Sequence, residues 1–400
     1  MIVDEFIVSR ESLQDPGWTL LPPAGQFATL DHVNQVVFGA GALSRLGALA
    51  RDLGATRVLL VTDPGVRTAG HVERAQASLE DERIQVSVFD EVEQNPGERH
   101  VDRGLEFARK NPPDCLIGLG GGSAMDVAKG INFLLTNGGR MRDYWGSGKA
   151  SRPLLPAIGV PTTSGTGSEA QSYALIEQEG TRRKMACGDP KALFRSAILD
   201  PEVTASTPVN AAALSGVDAL SHAVESYVTR SADDRSRAHA RTAWSLLEGS
   251  FEESLRPSAD DEIRGRMLYG AYLAGMAIEL SMLGAAHACA NPLTSRFDVA
   301  HGAAVLLMLP HVIRFNEPAT GTRSQELLQA STSGSAGTDL AARVEALRSV
   351  ANLPERLQDV GVPRSALADL AREADEQWTA RHNPRPVDEK ELGKLYESAY

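Results

Sequence analysis

Cysteine is scarce in this sequence, positive charge is outweighed, and no long apolar run occurs. Three cysteines in 400 residues, Cys115, Cys187 and Cys289, are too few and too scattered for a disulfide framework or a cysteine-rich zinc site. Lysine and arginine number 40 against 52 aspartates and glutamates, a formal net charge of −12. With no block of basic residues, the chain is poorly suited to hold nucleic acid or an anionic membrane by general electrostatics. No stretch approaches the ~18 uninterrupted apolar residues of a membrane span. The start, MIVDEFIVSRES, lacks the basic head and apolar core of a signal peptide. These absences predict a cytoplasmic protein acting on small molecules or protein partners. What is present is ordinary for a globular chain, 42% hydrophobic and 23% charged, and long enough for two domains with separate cores.

The two halves differ in pattern. From about residue 33, short apolar runs alternate with helical patterns: VNQVVF (33–38), RVLLVTD (57–63), QVSVFDEV (85–92), DCLIGLGGG (114–122), LLPAIGVPTT (154–163) and the segment near SAILDP (196–201). Strands spaced by helices predict βαβ units and a largely parallel sheet. After Pro208 the apolar residues recur at three- and four-residue spacing, which predicts an all-helical second half with a boundary near residue 207. TSGSAGT (332–338) reads as a loop, and residues 1–32, with Pro16, Pro22 and Pro23, as an irregular extension.

Two loops in the first half suit a nucleotide. Gly120-Gly121-Gly122-Ser123 separates an apolar strand from a helix, so backbone and helix dipole can approach an anion, with Ser123 available to cap or to donate. The same glycines would equally serve a plain turn, and the spacing is neither GxGxxG nor a P-loop. Pro161 to Glu169, PTTSGTGSE, could line a ribose or phosphate, or could be a solvated loop. Two such loops where strands end favour a nucleotide crevice. Asp63, after RVLLVT, can accept from a ribose 2′-hydroxyl and would repel a 2′-phosphate, which points to NAD over NADP; a helix-capping Asp would look the same.

The second half carries donors for a metal. Asp218, His222 and Glu225 are spaced by four and seven positions, so they share one helix face. His287 and His301 follow, fourteen positions apart. One carboxylate and three imidazoles would suit Fe(II) or Zn(II) without cysteine. Glu225 reads either as a partner behind the ligands or as an exposed, helix-stabilising acid. The remaining histidines, His32, His71, His100, His239, His311 and His382, read as satisfied or solvated side chains.

Taken in order, GGGSAMDVAKGI, PTTSGTGSE, ILDPEV, GVDALSHAVESYV, His287 and His301 ahead of LPHVIRFN, and NPRPVDEKELGKLY resemble the iron-containing (group III) alcohol dehydrogenases, from about residue 33 to residue 400. The resemblance implies a dehydroquinate synthase-like architecture. In it, an α/β, Rossmann-like dinucleotide-binding domain (1–207) precedes an all-helical metal-binding domain (208–400), with the active site between them. It implies Asp218, His222, His287 and His301 as metal ligands. Gly120, Gly121, Gly122 and Ser123 would hold the pyrophosphate, Thr162, Thr163 and Thr166 would line the nucleotide, and Asp63 would meet the adenosine ribose. Lys184 matches a lysine near the nicotinamide, Asp126 a cofactor-binding position, and Lys129 a support for the helix. One position departs: many relatives carry a further His four residues after the third ligand, and here Asn291 stands there. Asn cannot exchange a proton near neutral pH.

The implied activity is reversible, metal-dependent hydride transfer between NAD(H) and a small alcohol and its aldehyde or ketone, with Fe(II) or alternatively Zn(II), in a homo-oligomer. The same architecture serves zinc polyol dehydrogenases, metal-dependent cyclising synthases that use NAD transiently, and a hydroxyacid-oxoacid transhydrogenase that retains its NAD. A binding protein with a vestigial site is disfavoured by the presence of both nucleotide loops and all four ligand types.

Overall fold

The computed structural model describes residues 20–23, 25–181, 183–332 and 339–400. Its chain contacts divide into two units, with the change-over between Thr207 and Pro208. In the first unit the strands are β1 (Ala28–Asp31), β2 (Gln35–Phe38), β3 (Arg57–Val61), β4 (Gln85–Phe89), β5 (Cys115–Gly120), β6 (Gly146–Ser147), β7 (Ala157–Pro161), β8 (Tyr173–Glu177), β9 (Lys184–Gly188) and β10 (Ser196–Leu199). Its helices are α1 (Leu46–Asp52), α2 (Pro64–Thr68), α3 (His71–Asp81), α4 (Glu98–Lys110), α5 (Gly122–Asn137) and α6 (Pro201–Thr204).

Seven strands form one sheet in the order β1-β2-β10-β7-β5-β3-β4, parallel except for β1 against β2. Successive residues of one strand enter different cores. Leu59 and Val61 join Leu105, Met125 and Ile131, while Val58 and Leu60 join Leu46, Val72 and Leu79. Both faces are therefore covered, which is why β3 and β5 read as continuous apolar runs without alternation. The chain adds β4 on one side of β3 and then returns to place β5 on the other. This reversal leaves the ends of β3 and β5 flanking a crevice position typical of ligand binding in such sheets.

The irregular stretch expected through residue 32 stops short of that. Ala28–Asp31 pairs antiparallel with β2, Ala28 opposite Phe38, closing through a bond from the His32 N–H to the Asn34 carbonyl. The run is too short and polar to announce itself, but it gives the otherwise open edge of β2 its hydrogen-bond partners. Residues 1–19 lie outside the described part, as does 333–338 of the expected TSGSAGT loop. A second sheet, β6-β9-β8, was not anticipated; the segment around Lys184 is one of its strands.

The second unit contains α7 (Val209–Val228), α8 (Asp234–Ser254), α9 (Asp261–Ser281), α10 (Ala285–Phe297), α11 (His301–Thr320), α12 (Arg323–Gln329), α13 (Leu340–Val350), α14 (Leu367–Asp375) and α15 (Glu389–Ser398), and no strand among the described residues. Trp244, Phe251, Tyr269 and Tyr272 fill its interior and are almost fully buried. Helices α9 and α10 bend by 106° at their junction. No single helix among the described residues is long and apolar enough to cross a membrane.

ILDPEV shows how one acid holds the first unit together. The side chain of Asp200 is fully buried and accepts from the N–H groups of Gly41 (3.0 Å), Leu43 (3.0 Å) and Glu202 (3.0 Å), so it both caps α6 and ties down the turn after β2. Pro201 follows as the first helical residue, where its missing N–H costs nothing. Asp200→Ala would strand these donors, and we expect it to lower stability by about 3 kcal/mol. Urea unfolding followed by circular dichroism checks this, with a midpoint equal to that of the parent counting against it.

Candidate metal centre and nucleotide loops

Three helices of the second unit bring the expected ligands together. Asp218 and His222 lie one turn apart on α7, His287 sits in the first turn of α10, and His301 opens α11. Around Asp218 Oδ1 stand His222 Nε2 at 3.3 Å, His287 Nε2 at 3.6 Å and His301 Nε2 at 3.8 Å. Donor atoms of Asp218, His222 and His287 all lie within 4.8 Å of one another. The His222 and His287 rings stack with centroids 4.9 Å apart, and His301 tilts against His287 at 5.5 Å. Asp218, His222 and His287 are buried, whereas the His301 side chain is 27% exposed, the one open edge of the group.

Asp218 Oδ1 and His287 Nε2 are buried without a hydrogen-bond partner. Leaving such atoms unsatisfied costs free energy, and a cation among them removes that cost. One carboxylate and three imidazoles match the preferences of Fe(II) and Zn(II), so the residues fit a divalent metal. Cysteine takes no part. Burial pushes the Cys115 and Cys187 thiols up to about 12, and Cys289, in α10, is raised further by the same cause.

Burial alone would raise the Asp218 carboxyl, but His222, His287 and His301 hold it well below the usual carboxylate range. Burial alone would lower the His287 imidazole, but the carboxylates of Asp218 and Glu225 push it up to about 9. In the metal-free chain His287 thus carries a proton at neutral pH, and a metal ion must displace it.

The backbone explains how three helices converge. At Gly302, next to His301, an added Cβ would lie 2.1 Å from the Leu214 carbonyl oxygen of α7, so only glycine lets α11 start this close. Between α9 and α10, Met282 adopts φ 71 and Gly284 leaves room where a Cβ would lie 2.9 Å from Glu225 Oε1 and 3.0 Å from Asn383 Oδ1. Those oxygens receive the first N–H groups of α10: Ala285 to Asn383 (3.2 Å) and Ala286 to Glu225 (2.8 Å). Asn383 is fixed in turn by paired bonds with Asn316 (3.0 and 2.7 Å). Of these only Glu225 had a signal in the sequence, its place seven residues after Asp218. Gly302, Gly284, Asn316 and Asn383 had none beyond their presence near motifs. Asn291, one turn along α10 from His287, donates to Gln377 (3.1 Å), an uncharged amide pair.

The first unit gathers the nucleotide loops. Register places Gly120 of β5 beside Pro161 of β7, so the glycine and hydroxyl loops start side by side, joined by the Thr162 N–H to Gly120 carbonyl bond (3.0 Å). Gly120 has φ +151, a conformation that side chains rarely adopt. A Cβ on Gly122 would lie 2.7 Å from Thr166, and one on Gly121 would lie 3.5 Å from Thr163. Helix α5 begins after Gly121 with no side-chain cap; Ser123 lies inside its first turn, so the capping role expected for Ser123 is not adopted. Gly121 caps by backbone alone, which keeps the helix start open for an anion.

Asp63 does cap: Oδ1 accepts from Gly65 (2.9 Å) and Val66 (3.0 Å), while Oδ2 lies 3.2 Å from where a Gly120 Cβ would be. Capping therefore occupies one oxygen and leaves the other beside the glycine loop. Asp126 is buried and accepts from the Ser168 hydroxyl (2.8 Å). Burial raises its carboxyl, opposed by Lys129, Ser168 and Lys184. Lys129 donates to the Ser168 carbonyl (2.8 Å), the Ser168 hydroxyl (2.9 Å) and the Tyr173 carbonyl (2.8 Å). Together Asp126 and Lys129 clamp the hydroxyl loop from beneath, a stronger role than helix support. Glu169 at the end of that loop is buried, and burial pushes it up to about 7. Lys184 starts β9 opposite Glu177, half-buried. Among the other histidines, His71 meets Ser206 (2.7 Å), His100 accepts from Gly97 (3.0 Å) and His382 meets Ser231 (2.8 Å).

Comparison with known proteins gives a consistent match. A family profile described as iron-containing alcohol dehydrogenase matches residues 34–201, and its C-terminal counterpart matches residues 212–400. The chain is 33% identical to the 1,3-propanediol dehydrogenase of Citrobacter freundii over 91% of this chain and 96% of that one. It is 30% identical to the NAD-dependent methanol dehydrogenase of Bacillus methanolicus, covering 91% and 97%. Alcohol dehydrogenase 4 of Schizosaccharomyces pombe is 38% identical, over 70% of this chain and 66% of that protein. Among solved structures, a 1,3-propanediol oxidoreductase superposes with a TM-score of 0.88 at 31% identity, covering 94% of this chain and all 100% of that one. A sulfoacetaldehyde reductase from Bifidobacterium kashiwanohense, solved with NAD+, superposes with a TM-score of 0.82 at 26% identity, covering 94% and 98%.

The close approach at Gly302 generates a prediction. Gly302→Ala forces α11 away from α7, which we expect to cost about 2 kcal/mol in stability. It should also weaken Zn(II) binding by retracting His301. Calorimetric titration of the folded variant reads the second effect, and parental affinity would show that His301 does not need this contact.

Proposed function

The chain belongs to the iron-containing alcohol dehydrogenase family, and from that premise we propose that it moves hydride reversibly between NAD(H) and a small primary or secondary alcohol and its aldehyde or ketone. The observation that carries the reading is the meeting of three imidazole nitrogens at one buried carboxylate oxygen that has no hydrogen-bond partner. Asp218, His222, His287 and His301 would hold the divalent metal, Fe(II) by the family's habit, with Zn(II) an equal chemical fit. When bound, such a metal supplies Lewis acidity toward the substrate oxygen, and the nicotinamide supplies the redox chemistry.

The residues of the chain do the binding and orienting. Gly120, Gly121 and Gly122 let backbone approach the pyrophosphate, and the uncapped start of α5, with Ser123 in its first turn, offers N–H donors to it. Thr162, Thr163 and Thr166 line the nucleotide, held in place by the Lys129 and Asp126 clamp on Ser168. Asp126 thereby acts on the loop rather than on the cofactor. Asp63 Oδ2 accepts from a ribose hydroxyl and repels a 2′-phosphate, supporting NAD over NADP. Lys184 faces the nicotinamide side by its motif. Asn291, bonded to Gln377, offers no titrating group, so the alcohol proton leaves by water or a ribose hydroxyl. The substrate class follows the relatives named for methanol and 1,3-propanediol.

A panel of alcohols and aldehydes with NAD(H) and NADP(H), on anaerobically Fe(II)- or Zn(II)-loaded protein, tests the reading. Net alcohol-dependent NADH formation is expected. Hydride exchange between alcohol and carbonyl without free NADH would replace it with a transhydrogenase, and preference for NADP would overturn the role of Asp63. His287→Ala should lose metal and more than ~100-fold in rate, beyond the loss expected from an outer partner alone. Full activity in a metal-free His287→Ala protein would end the assignment.

A further inference from the structure

One buried acid beside the metal ligands is left without a role in the reaction above. Glu225 is 3% exposed, and each contact it makes is with a donor. Its Oε1 accepts from the Ala286 N–H (2.8 Å), and its Oε2 lies 2.5 Å from His287 Nδ1 and 3.4 Å from the His287 N–H. A contact this short between a carboxylate and a ring nitrogen needs the hydrogen to sit on Nδ1. With Nδ1 holding its hydrogen, Nε2 is the ring nitrogen left to offer a lone pair to a metal, and it faces Asp218 at 3.6 Å without a hydrogen-bond partner.

We propose that Glu225 is a positioning residue that fixes the tautomer and ring plane of His287, so that Nε2 is presented to a divalent cation as a ready donor. The inference rests on the metal reading above. Its physical basis is the single carboxylate serving two tasks from one place. The first is to satisfy the opening N–H of α10, where negative charge is favoured by the helix dipole. The second is to receive the ring N–H of a residue in that same turn. Because Ala286 and His287 are adjacent, backbone and ring are locked by the same two oxygens. Asn383 caps Ala285 separately, so the helix start does not depend on Glu225 alone. Gly284 keeps the space open, since a Cβ there would press on Glu225 Oε1 at 2.9 Å.

The substitution Glu225→Gln separates the two tasks. Its amide oxygen can still accept from Ala286, but its NH2 would meet Nδ1, which must then give up its hydrogen to Nε2 or lose the bond. With the full-length protein and Zn(II) as probe, chelator competition should show affinity falling by about 10- to 100-fold. The metal-free variant should keep the far-UV circular dichroism of the parent, because the cap is retained. Zn(II) affinity within twofold of the parent would overturn the proposal and leave Glu225 a helix cap. A second reading uses the parent itself and needs no variant to fold: 15N NMR of the Zn(II)-loaded protein should show His287 protonated at Nδ1. An unprotonated Nδ1 would overturn the proposal. A parent that binds no divalent metal at all would instead sink the metal reading on which it rests, a distinguishable failure.

Discussion

A carboxylate oxygen held among three imidazoles without a hydrogen bond is the constraint around which the second unit is organised. Asp218 Oδ1 has Nε2 atoms at 3.3, 3.6 and 3.8 Å, all but His301 buried. Burying that carboxylate costs free energy, which the three histidines offset by holding it well below the usual carboxylate range. Without metal, the cluster compensates by keeping a proton on His287. With metal, the four donors are satisfied together, and the binding energy adds to folding. The helices must meanwhile be stable enough to carry the unfinished cluster. The buried aromatics Trp244 and Phe251 of α8 and Tyr269 and Tyr272 of α9 supply an apolar core.

Glycine decides where both kinds of chemistry can happen, by permitting backbone to approach where a side chain would intervene. Gly302 lets α11 touch the Leu214 carbonyl, Gly284 admits Glu225 to the start of α10, and Gly122 lets Thr166 close over the start of α5. In each case the residue proposed to act is the neighbour: His301, His287 and the threonine loop. The glycines thus set distances that the ligands alone could not set, since no side-chain contact substitutes for a missing Cβ.

Much of this was legible in the sequence, and what was not has a physical reason. Central strands such as β5 and β7 announced themselves because they are buried on both faces and so read as apolar runs, whereas the half-buried β4 showed through alternating Val residues and Phe89. Helical periodicity put Asp218 and His222 on one face, and residue types alone offered His287 and His301 as further donors. The resemblance named the four as ligands, while the 106° bend before α10, at Met282 with its positive φ, is something no periodicity reveals. Strand β1 escaped because its partner lies only a turn away and its residues are mixed in polarity. The sheet of β6, β9 and β8 escaped because two of its strands are short or edge-lying. Of the two roles open to Ser123, the cap falls to Gly121 instead, since a hydroxyl near a helix start is a weak guide to register. Of the two readings of Asp63, the structure shows the helix cap, through Oδ1, and leaves the ribose role to Oδ2 as a proposal.

Charge explains how a chain of net −12 serves an anionic cofactor and a cation at once. The loops proposed to hold the dinucleotide present neutral glycine backbone and a helix start without a side-chain cap, so the global charge is irrelevant within their reach. The metal ligands carry a single negative charge, that of Asp218, against a divalent ion. In the proposed centre the three imidazoles would be neutral, so the four ligands and a divalent ion would keep one net positive charge, and the Glu225 carboxylate lies behind His287 at Nδ1 rather than among the ligand atoms. That positive charge would favour negative charge developing on a substrate oxygen. Asn291 and Gln377 add no charge to oppose it. Replacing any one imidazole by a second carboxylate would cancel that charge while leaving four ligands, so in the proposed centre it is the ligand chemistry, rather than the ligand count, that would favour an alcohol oxygen losing its proton.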